Sequence, residues 1–478
     1  MGCPHEDAGL LAWHSPSTWP NQRVPGAGED IIVPAGRKVL ISRALRGVLG
    51  LITVPSSSEL VFGENVTDRI TLSAHGIDVR GALRAGAESC RLIAPVVVTL
   101  HGSRPATRAE LDALPPTYKG IVVQGGGTLE LHGKQYHRTW VRLARAVQPG
   151  DRVILLQHAV NWEAGQRIVL TTTALKDARD WHRNEEHTLS GQLDSSVLPP
   201  GVGAALVLST PTLYSHDAHD AWQGEVALLS RMVVVQGAVD DSEPVDTVPT
   251  ACDDSEWILS TKSVPCPNRH LTGFGAHIFI AGALATARVA GVELHRVGQT
   301  NVLGRYPMHF HLMGDLGDSS RAYLRDSSVH RSYYRCVSIH GTHRAAVSQN
   351  VAYDVTGHCY YLEDGVETHN VIEYNLAAHI HFLGPPPRSS GQFCADIEQS
   401  DELLLPADST ASGFYLTNAQ NFVVGNSASG GWAGFSFPTL PHPVKNHRGE
   451  TSVTPSAQDI LIFEGNTAHS AYVPGDRT

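Results

Sequence analysis

Asn350-Val351-Ala352-Tyr353, Asn375-Leu376-Ala377-Ala378, Asn426-Ser427-Ala428-Ser429 and Asn466-Thr467-Ala468-His469 set the same Asn-x-Ala triplet at the head of four short strand-like units. An asparagine recurring at one position of successive units marks a stacked turn, in which each carboxamide bonds the backbone of the neighbouring coil. From residue 275 onward the text therefore reads as a solenoid, irregular in repeat length.

Working outward, four segments align on a shared apolar centre: His309-Phe310-His311, Ser338-Ile339-His340, Tyr361-Leu362-Glu363 and Tyr415-Leu416-Thr417. If Phe310, Ile339, Leu362 and Leu416 point inward, strand alternation sends His309, Ser338, Tyr361 and Tyr415 outward in one row. His311, His340, Glu363 and Thr417 form the next. The steps from His311 to His340 and from His340 to Glu363 are 29 and 23 residues, so an insertion of about six must bulge from the first coil. The same alignment stacks Cys336 on Cys359, leaving a disulfide and a pair of thiols equally open.

Bulk properties agree with a solenoid. The chain has 478 residues, more than one hydrophobic core usually fills, with 45 Gly, 28 Pro and only 17% charged residues. Short Val/Ile/Leu runs between turn residues mean strand, with helix a minor component. A net charge of -11 argues against a nucleic-acid or acidic-membrane binder. Locally, Arg296, Arg305, Arg321, Arg325, Arg331, Arg335 and Arg344 face only Asp315, Asp318 and Asp326, which predicts a docking strip for a polyanion. No apolar run spans a bilayer, since the best, 279–294, is broken by Arg288 and Glu293. Residues 1–7 lack a secretory signal, and 459–470 read as one more strand-and-turn unit without a cap, so a fragment is expected. Of seven cysteines, Cys252 and Cys266 bracket a polar loop that either a bridge or two free thiols would suit.

Residues 13–133 alternate short strands with Gly and Pro, predicting an antiparallel or coiled β domain. Two turn-plus-strand units follow at 147–156 and 161–170, and the polar stretches 181–200 and 239–268 read as surface insertions.

Several motifs carry a resemblance. Val24-Pro25-Gly26-Ala27-Gly28-Glu29-Asp30-Ile31-Ile32-Val33-Pro34-Ala35-Gly36, then Leu49-Gly50-Leu51-Ile52-Thr53-Val54, Gly81-Ala82-Leu83-Arg84-Ala85-Gly86 and Gly126-Gly127-Thr128-Leu129-Glu130-Leu131-His132-Gly133 resemble the G8 domain, whose glycines suit turns with positive φ. Residues 225–231, 304–315, 335–343, 350–365 and 414–418 are similar to the β-helix region shared by the cell-migration-inducing hyaluronan-binding protein, transmembrane protein 2 and fibrocystin-L. One departure is Ala276-His277-Ile278, where the family usually has a second Gly before the His. The resemblance implies an all-β chain: a G8-like β domain at 11–137, a β-rich connecting region at 138–274, and a right-handed parallel β-helix at 275–478. It further implies a secreted or cell-surface setting and hyaluronan binding and depolymerisation, although fibrocystin-L resembles an adhesion or receptor protein.

Candidate site residues follow from the two outward rows. Two imidazoles and a carboxylate, His311, His340 and Glu363, form a common divalent-cation set for calcium or zinc. His343, His358 and Asp364 lie close enough in sequence to join them. Glycoside hydrolysis needs two carboxyls, and the candidates are Asp315, Asp354, Glu363 and Asp364. Arg305 could clamp a uronate while Tyr306 stacks on a sugar ring, with His309 and Tyr361 beside them; Arg305 paired with Asp315 is the structural alternative. Three readings follow: an endo-acting glycosidase or lyase on acidic polysaccharide, an adhesion surface without turnover, and a structural spacer whose outward histidines form a plain exposed ladder. Oligomeric state is not set by the sequence.

Overall fold

The computed structural model describes residues 2–63, 68–175, 177, 182–219, 222–245, 272–383, 408 and 410–471. Its framework is three parallel ladders wound around one apolar core. One is an 11-stranded sheet from Leu10–Ala12 through Lys38–Ile41, Glu59–Phe62, Ala82–Ala85 and Thr128–His132 to Thr286–Ala290 and onward to Ile462–Glu464. The second passes through Gly120–Val123, His277–Ala281, Met308–Asp315, Val337–His343 and Tyr360–Leu362, and the third through Val96–Leu100, Val233–Gly237, Val292–Val297, Ser328–Ser332, Val351–Thr356 and Leu376–His381.

The ladders run across the expected division of the chain. Of the two arrangements left open for residues 13–133, the coil is found: these strands pair in parallel and run into the later rungs, with Leu129 opposite Ala287 and Ile121 opposite Ile278. Val233–Gly237, assigned to the connecting region, is already a rung. The interrupting segment folds separately as a six-stranded antiparallel sheet containing Trp140–Arg142, Arg167–Leu170, Ala204–Leu208 and Glu225–Leu228, with its own core around Trp162, Leu170 and Leu206. Within the stretch 181–200, expected to be loop, Glu185–Gln192 is a strand of this sheet with alternating burial. Most of 239–268, including Cys252 and Cys266, lies outside the described residues. The insert covers the third ladder: Val169, Ala227 and Leu229 pack on the outward side chains of Val351, Tyr353 and Leu376.

The glycines of the first segment serve two purposes. Gly28 and Gly36 adopt positive φ (78° and 70°), whereas at Gly81 a Cβ would lie 2.1 Å from the Ser58 carbonyl oxygen, so there the need is close approach.

Buried asparagines lock the later rungs. Asn375 Oδ1 accepts from both the backbone N and Nδ2 of Asn350 at 3.0 Å, while Asn375 Nδ2 donates to Val347 O at 2.9 Å and to Asn426 Oδ1 at 3.0 Å. Asn426 repeats the pattern on Asn466. The residues inserted into the first coil are also located. The offset between paired rungs is 29 at His311–His340, 28 at Asp315–His343 after a bulge, and 23 at Tyr323–Ala346 after the turn 316–321. Phe310, Ile339, Leu362 and Leu416 are buried in the core, and Cys336 is disulfide-bonded to Cys359; Cys3 and Cys90 form a second bridge.

Two predictions follow from these contacts. Replacing Asn375 by Ala strands a buried N–H and a buried carbonyl, each costing about 1–3 kcal/mol; chemical denaturation should show a loss of that order or more, against little change for an exposed asparagine such as Asn21. The second concerns docking of the insert, where buried Glu225 accepts from Ser427 Oγ at 2.6 Å and meets His469 Nε2 at 2.9 Å. Burial opposes ionisation of both groups, yet their mutual attraction and the added hydrogen bonds hold Glu225 down at about 2 and raise His469. The His469 share of stability is present below its ordinary 6.5 and lost as pH rises through its raised value; the Glu225 share is present above 4.5 and lost as pH falls through about 2. The Tm difference between the protein and Glu225→Gln should therefore peak between pH 4.5 and 6.5 and narrow on either side.

Candidate functional site

The second ladder presents His309 and His311 from Met308–Asp315, Ser338 and His340 from Val337–His343, and Tyr361 from Tyr360–Leu362, with Glu363 and Asp364 just beyond. Register places His309 opposite Ser338, His311 opposite His340 and Ser338 opposite Tyr361, so the two outward rows form as alternation requires. They open onto a cleft of about 550 Å³ whose far wall includes Arg108, Leu111 and Leu303.

Three imidazoles converge there, with donor atoms within 4.8 Å of one another: His309, His311 and His340. His309 Nδ1 bonds Gly304 O at 3.0 Å, leaving its buried Nε2 without a hydrogen-bond partner among the described residues. His311 Nδ1 and His340 Nδ1 lie 3.0 Å apart, and His340 Nε2 meets Asp364 Oδ2 at 3.0 Å. The Asp364 carboxylate on one nitrogen of His340 fixes the orientation of that ring and turns its other nitrogen toward His311. Burial lowers His309 to about 3 and His311 to about 4, so both are neutral and offer lone pairs at physiological pH. Burial also works against charge on His340, but Asp364 and Glu363 more than offset it and raise that group.

Glu363, expected from the sequence to join His311 and His340, is engaged elsewhere. Glu363 lies 3.7 Å from His340 Nδ1, but its carboxylate already accepts from Ser338 Oγ at 2.6 Å and Lys445 Nζ at 2.8 Å. Against the cost of burial, Lys445, His309 and His340 hold it well below the usual carboxylate range. It is held ionised as a counter-charge, and His309 is the third side chain whose donor atom lies within 4.8 Å of those of His311 and His340.

Several expected substrate contacts are walls instead. Arg305 is buried and donates to the carbonyls of Leu114, Pro115 and Tyr118, so it neither clamps a free uronate nor pairs with Asp315. Tyr306 and Tyr361 are buried too, and Tyr361 lies 4.0 Å from the Arg335 guanidinium over its ring, so neither presents a face to sugar. Asp315 does not line the cleft; it caps Gly317 N at 2.9 Å and pairs with Arg344 at 3.0 Å on the surface. Asp354 belongs to a different face, His343 bonds Thr368, and His358 stacks on Tyr361. The basic strip likewise dissolves: Arg296 bonds Gly237 O, Arg321 bonds Ala283 O, Arg325 covers Tyr323, Arg331 meets Glu243, and Arg335 is buried against Asp408.

Other residues enter unannounced. The loop carrying Lys445 and His447 folds over the ladder, with Lys445 Nζ also 3.0 Å from the Tyr361 hydroxyl and His447 Nδ1 2.8 Å from Asp364 Oδ2. Fully buried Glu367 accepts the backbone N–H groups of Gly341 and Gly365 at 2.8 Å and fixes the turn that bears Asp364. Sequence spacing gives no signal for Lys445 or His447, which lie more than eighty residues from their partners.

With this geometry in view, comparison with known proteins is informative. The G8 domain model matches residues 18–144 and the CEMIP beta-helix model matches residues 273–476. The chain belongs to the family that joins a G8 domain to this β-helix. Protein rliB of Dictyostelium discoideum is 40% identical over 474 residues, covering 98% of this chain and 38% of that protein. Fibrocystin-L of Homo sapiens is 29% identical over 481 residues, covering 96% of this chain and 10% of the relative. The chain thus spans well under half the length of these relatives. The tailspike protein gp49 from Pseudomonas phage LKA1 matches over 80% of this chain and 48% of its own at 9% identity and a TM-score of 0.18, too distant to carry an argument. Among the described residues no helix is long and apolar enough to cross a membrane.

Lys445→Met should leave the buried Glu363 charge without its cation. A loss of about 3 kcal/mol in chemical denaturation is expected, with Lys445→Arg recovering most of it.

Proposed function

We propose that this member of the family acts at the cell surface or outside the cell on an acidic polysaccharide of the hyaluronan class, binding it in the His309/His311/His340 cleft and depolymerising it. The observation that carries the reading is the convergence of three imidazoles at the mouth of a cleft, two of them neutral and lone-pair-bearing, backed by Asp364 and Lys445. Two disulfides suit an oxidising setting. The three nitrogens fit a divalent cation of the zinc type better than calcium, which prefers oxygen. Such an ion, when bound, would offset the charge of a uronate carboxylate and polarise the bond to be broken.

The protein's own residues supply the rest. Glu363, held ionised by Lys445, keeps the floor of the cleft polar and sets the field around His309 and His340. Asp364 orients His340 and His447 by hydrogen bonds to one ring nitrogen of each, leaving it the carboxyl best placed to exchange a proton with imidazole. Glu363 and Asp364 are adjacent, so the two-carboxyl requirement of hydrolysis and the single-base requirement of elimination both find candidates here.

The test is size-exclusion analysis of high-molecular-weight hyaluronan incubated with the purified chain, with and without chelator, beside His309→Ala/His311→Ala. Shortening that disappears in both is the expected result, and an unsaturated uronate among the products would distinguish elimination from hydrolysis. Binding without shortening would replace depolymerisation by adhesion, the role suggested by the resemblance to fibrocystin-L.

A further inference from the structure

The insert and the solenoid meet along a second cavity, a groove of about 570 Å³ at the corner where the 11-stranded sheet passes into the third ladder. That size lies within the roughly 300–1,000 Å³ usual for ligand sites. Its floor is built by the residues that precede the stacked asparagines. Gln349, Tyr374, Gly425 and Gly465 occupy the same corner position on four successive rungs, so the side chains of this row stop at Tyr374. The Tyr374 ring lies over the bare position that follows: a Cβ on Gly425 would come 2.5 Å from its Cε1 and 2.6 Å from its Cδ1. Seated on glycine, Tyr374 remains 51% exposed and open to the groove.

The facing wall comes from the insert. Trp140 Nε1 donates to Tyr374 O at 2.7 Å, and Arg142, whose guanidinium lies 5.6 Å from the centre of the Trp140 ring, donates to Thr467 Oγ1 at 2.7 Å. Arg142 is thus tied into the junction. Arg138 is not. Its backbone is pinned, with His137 N donating to Asn161 Oδ1 at 2.7 Å and Trp162 Nε1 donating to Arg138 O at 2.8 Å, but its guanidinium has no hydrogen bond or ion pair among the described residues. The carboxamides of Gln157 and Gln349 on the same walls are likewise without hydrogen bonds among the described residues.

This combination has a chemical meaning. An electron-rich ring face draws the C–H side of a sugar, a guanidinium fork pairs with a planar carboxylate, and carboxamides both donate to and accept from hydroxyls. Two arginines against the single carboxylate of Glu464 leave the groove positive in a chain of net charge -11, which sets the sign of its ligand. We propose that this groove is a binding site for a uronate-bearing oligosaccharide, with one sugar ring against Tyr374 and its carboxylate on Arg138. It rests on the reading of the cleft only for the kind of polymer, and it holds the chain without breaking a bond.

The test is calorimetric titration of the full chain carrying His309→Ala and His311→Ala, using a hyaluronan octasaccharide and the same sugar after its carboxyls are reduced to alcohols. Saturable binding of the native octasaccharide is expected, weakened about tenfold by Tyr374→Ala, by Arg138→Ala or by carboxyl reduction. Both side chains are exposed, so the variants keep the fold, and Tyr374→Phe should bind within about twofold of the parent. No saturable binding, affinity unchanged in Tyr374→Ala and Arg138→Ala, or affinity unchanged by carboxyl reduction would each overturn the proposal. Failure of the cleft reading has a different signature: hyaluronan left uncut by the unaltered chain while the octasaccharide still titrates the groove.

Discussion

The solenoid of this protein, and the cleft on it, depend on parallel rung-to-rung hydrogen bonding held in one register. A parallel rung satisfies its backbone only through its neighbours, and a slip of one residue would turn every side chain to the opposite face. Asn350, Asn375, Asn426 and Asn466 guard against that slip: a buried carboxamide bonded to the next asparagine and to a carbonyl of the preceding coil has one geometry in which all its partners are met. Phe310, Ile339 and Leu362 then fill the core, and the residues flanking them must face out.

The cleft exploits that certainty. Register alone brings His309, His311 and His340 together, but a row of outward imidazoles is only a ladder until something covers it. The loop with Lys445 and His447 supplies the cover, removing the carboxylates beneath it from water. Buried ions are tolerated only with close partners, and each is provided: Glu363 with Lys445, Asp364 with His340 and His447, Arg335 with Asp408. The result is two neutral imidazoles, His309 and His311, beside a His340 whose affinity for a proton is raised by the ionised carboxylates beneath it.

The inserted antiparallel sheet has a comparable effect on the opposite side. By covering the third ladder it lets Val351, Tyr353 and Leu376 face outward without meeting solvent, and it buries Glu225 and Asp177 against histidines of the helix. Docking through ion pairs at the rim and apolar contact at the centre makes the junction sensitive to pH in a way that the solenoid core is not.

The sequence by itself determined the strand-and-turn texture, the stacked asparagines, the inward row and the two outward rows, because period-two alternation and a repeated polar residue are local properties that survive without coordinates. It also marked Cys336 and Cys359 as neighbours and foresaw the six surplus residues of the first coil. Tertiary structure alone decided the rest. It made residues 10–132 part of the same coil, because parallel pairing joins strands far apart in the chain. It turned Arg305, Tyr306 and Tyr361 from ligand contacts into buried walls, and it scattered seven arginines over separate faces, because proximity along the chain says nothing about direction once coils turn. It also brought Lys445 and His447 to Glu363 and Asp364, for which no periodicity exists: a loop closing over a surface is placed by contacts, not by pattern.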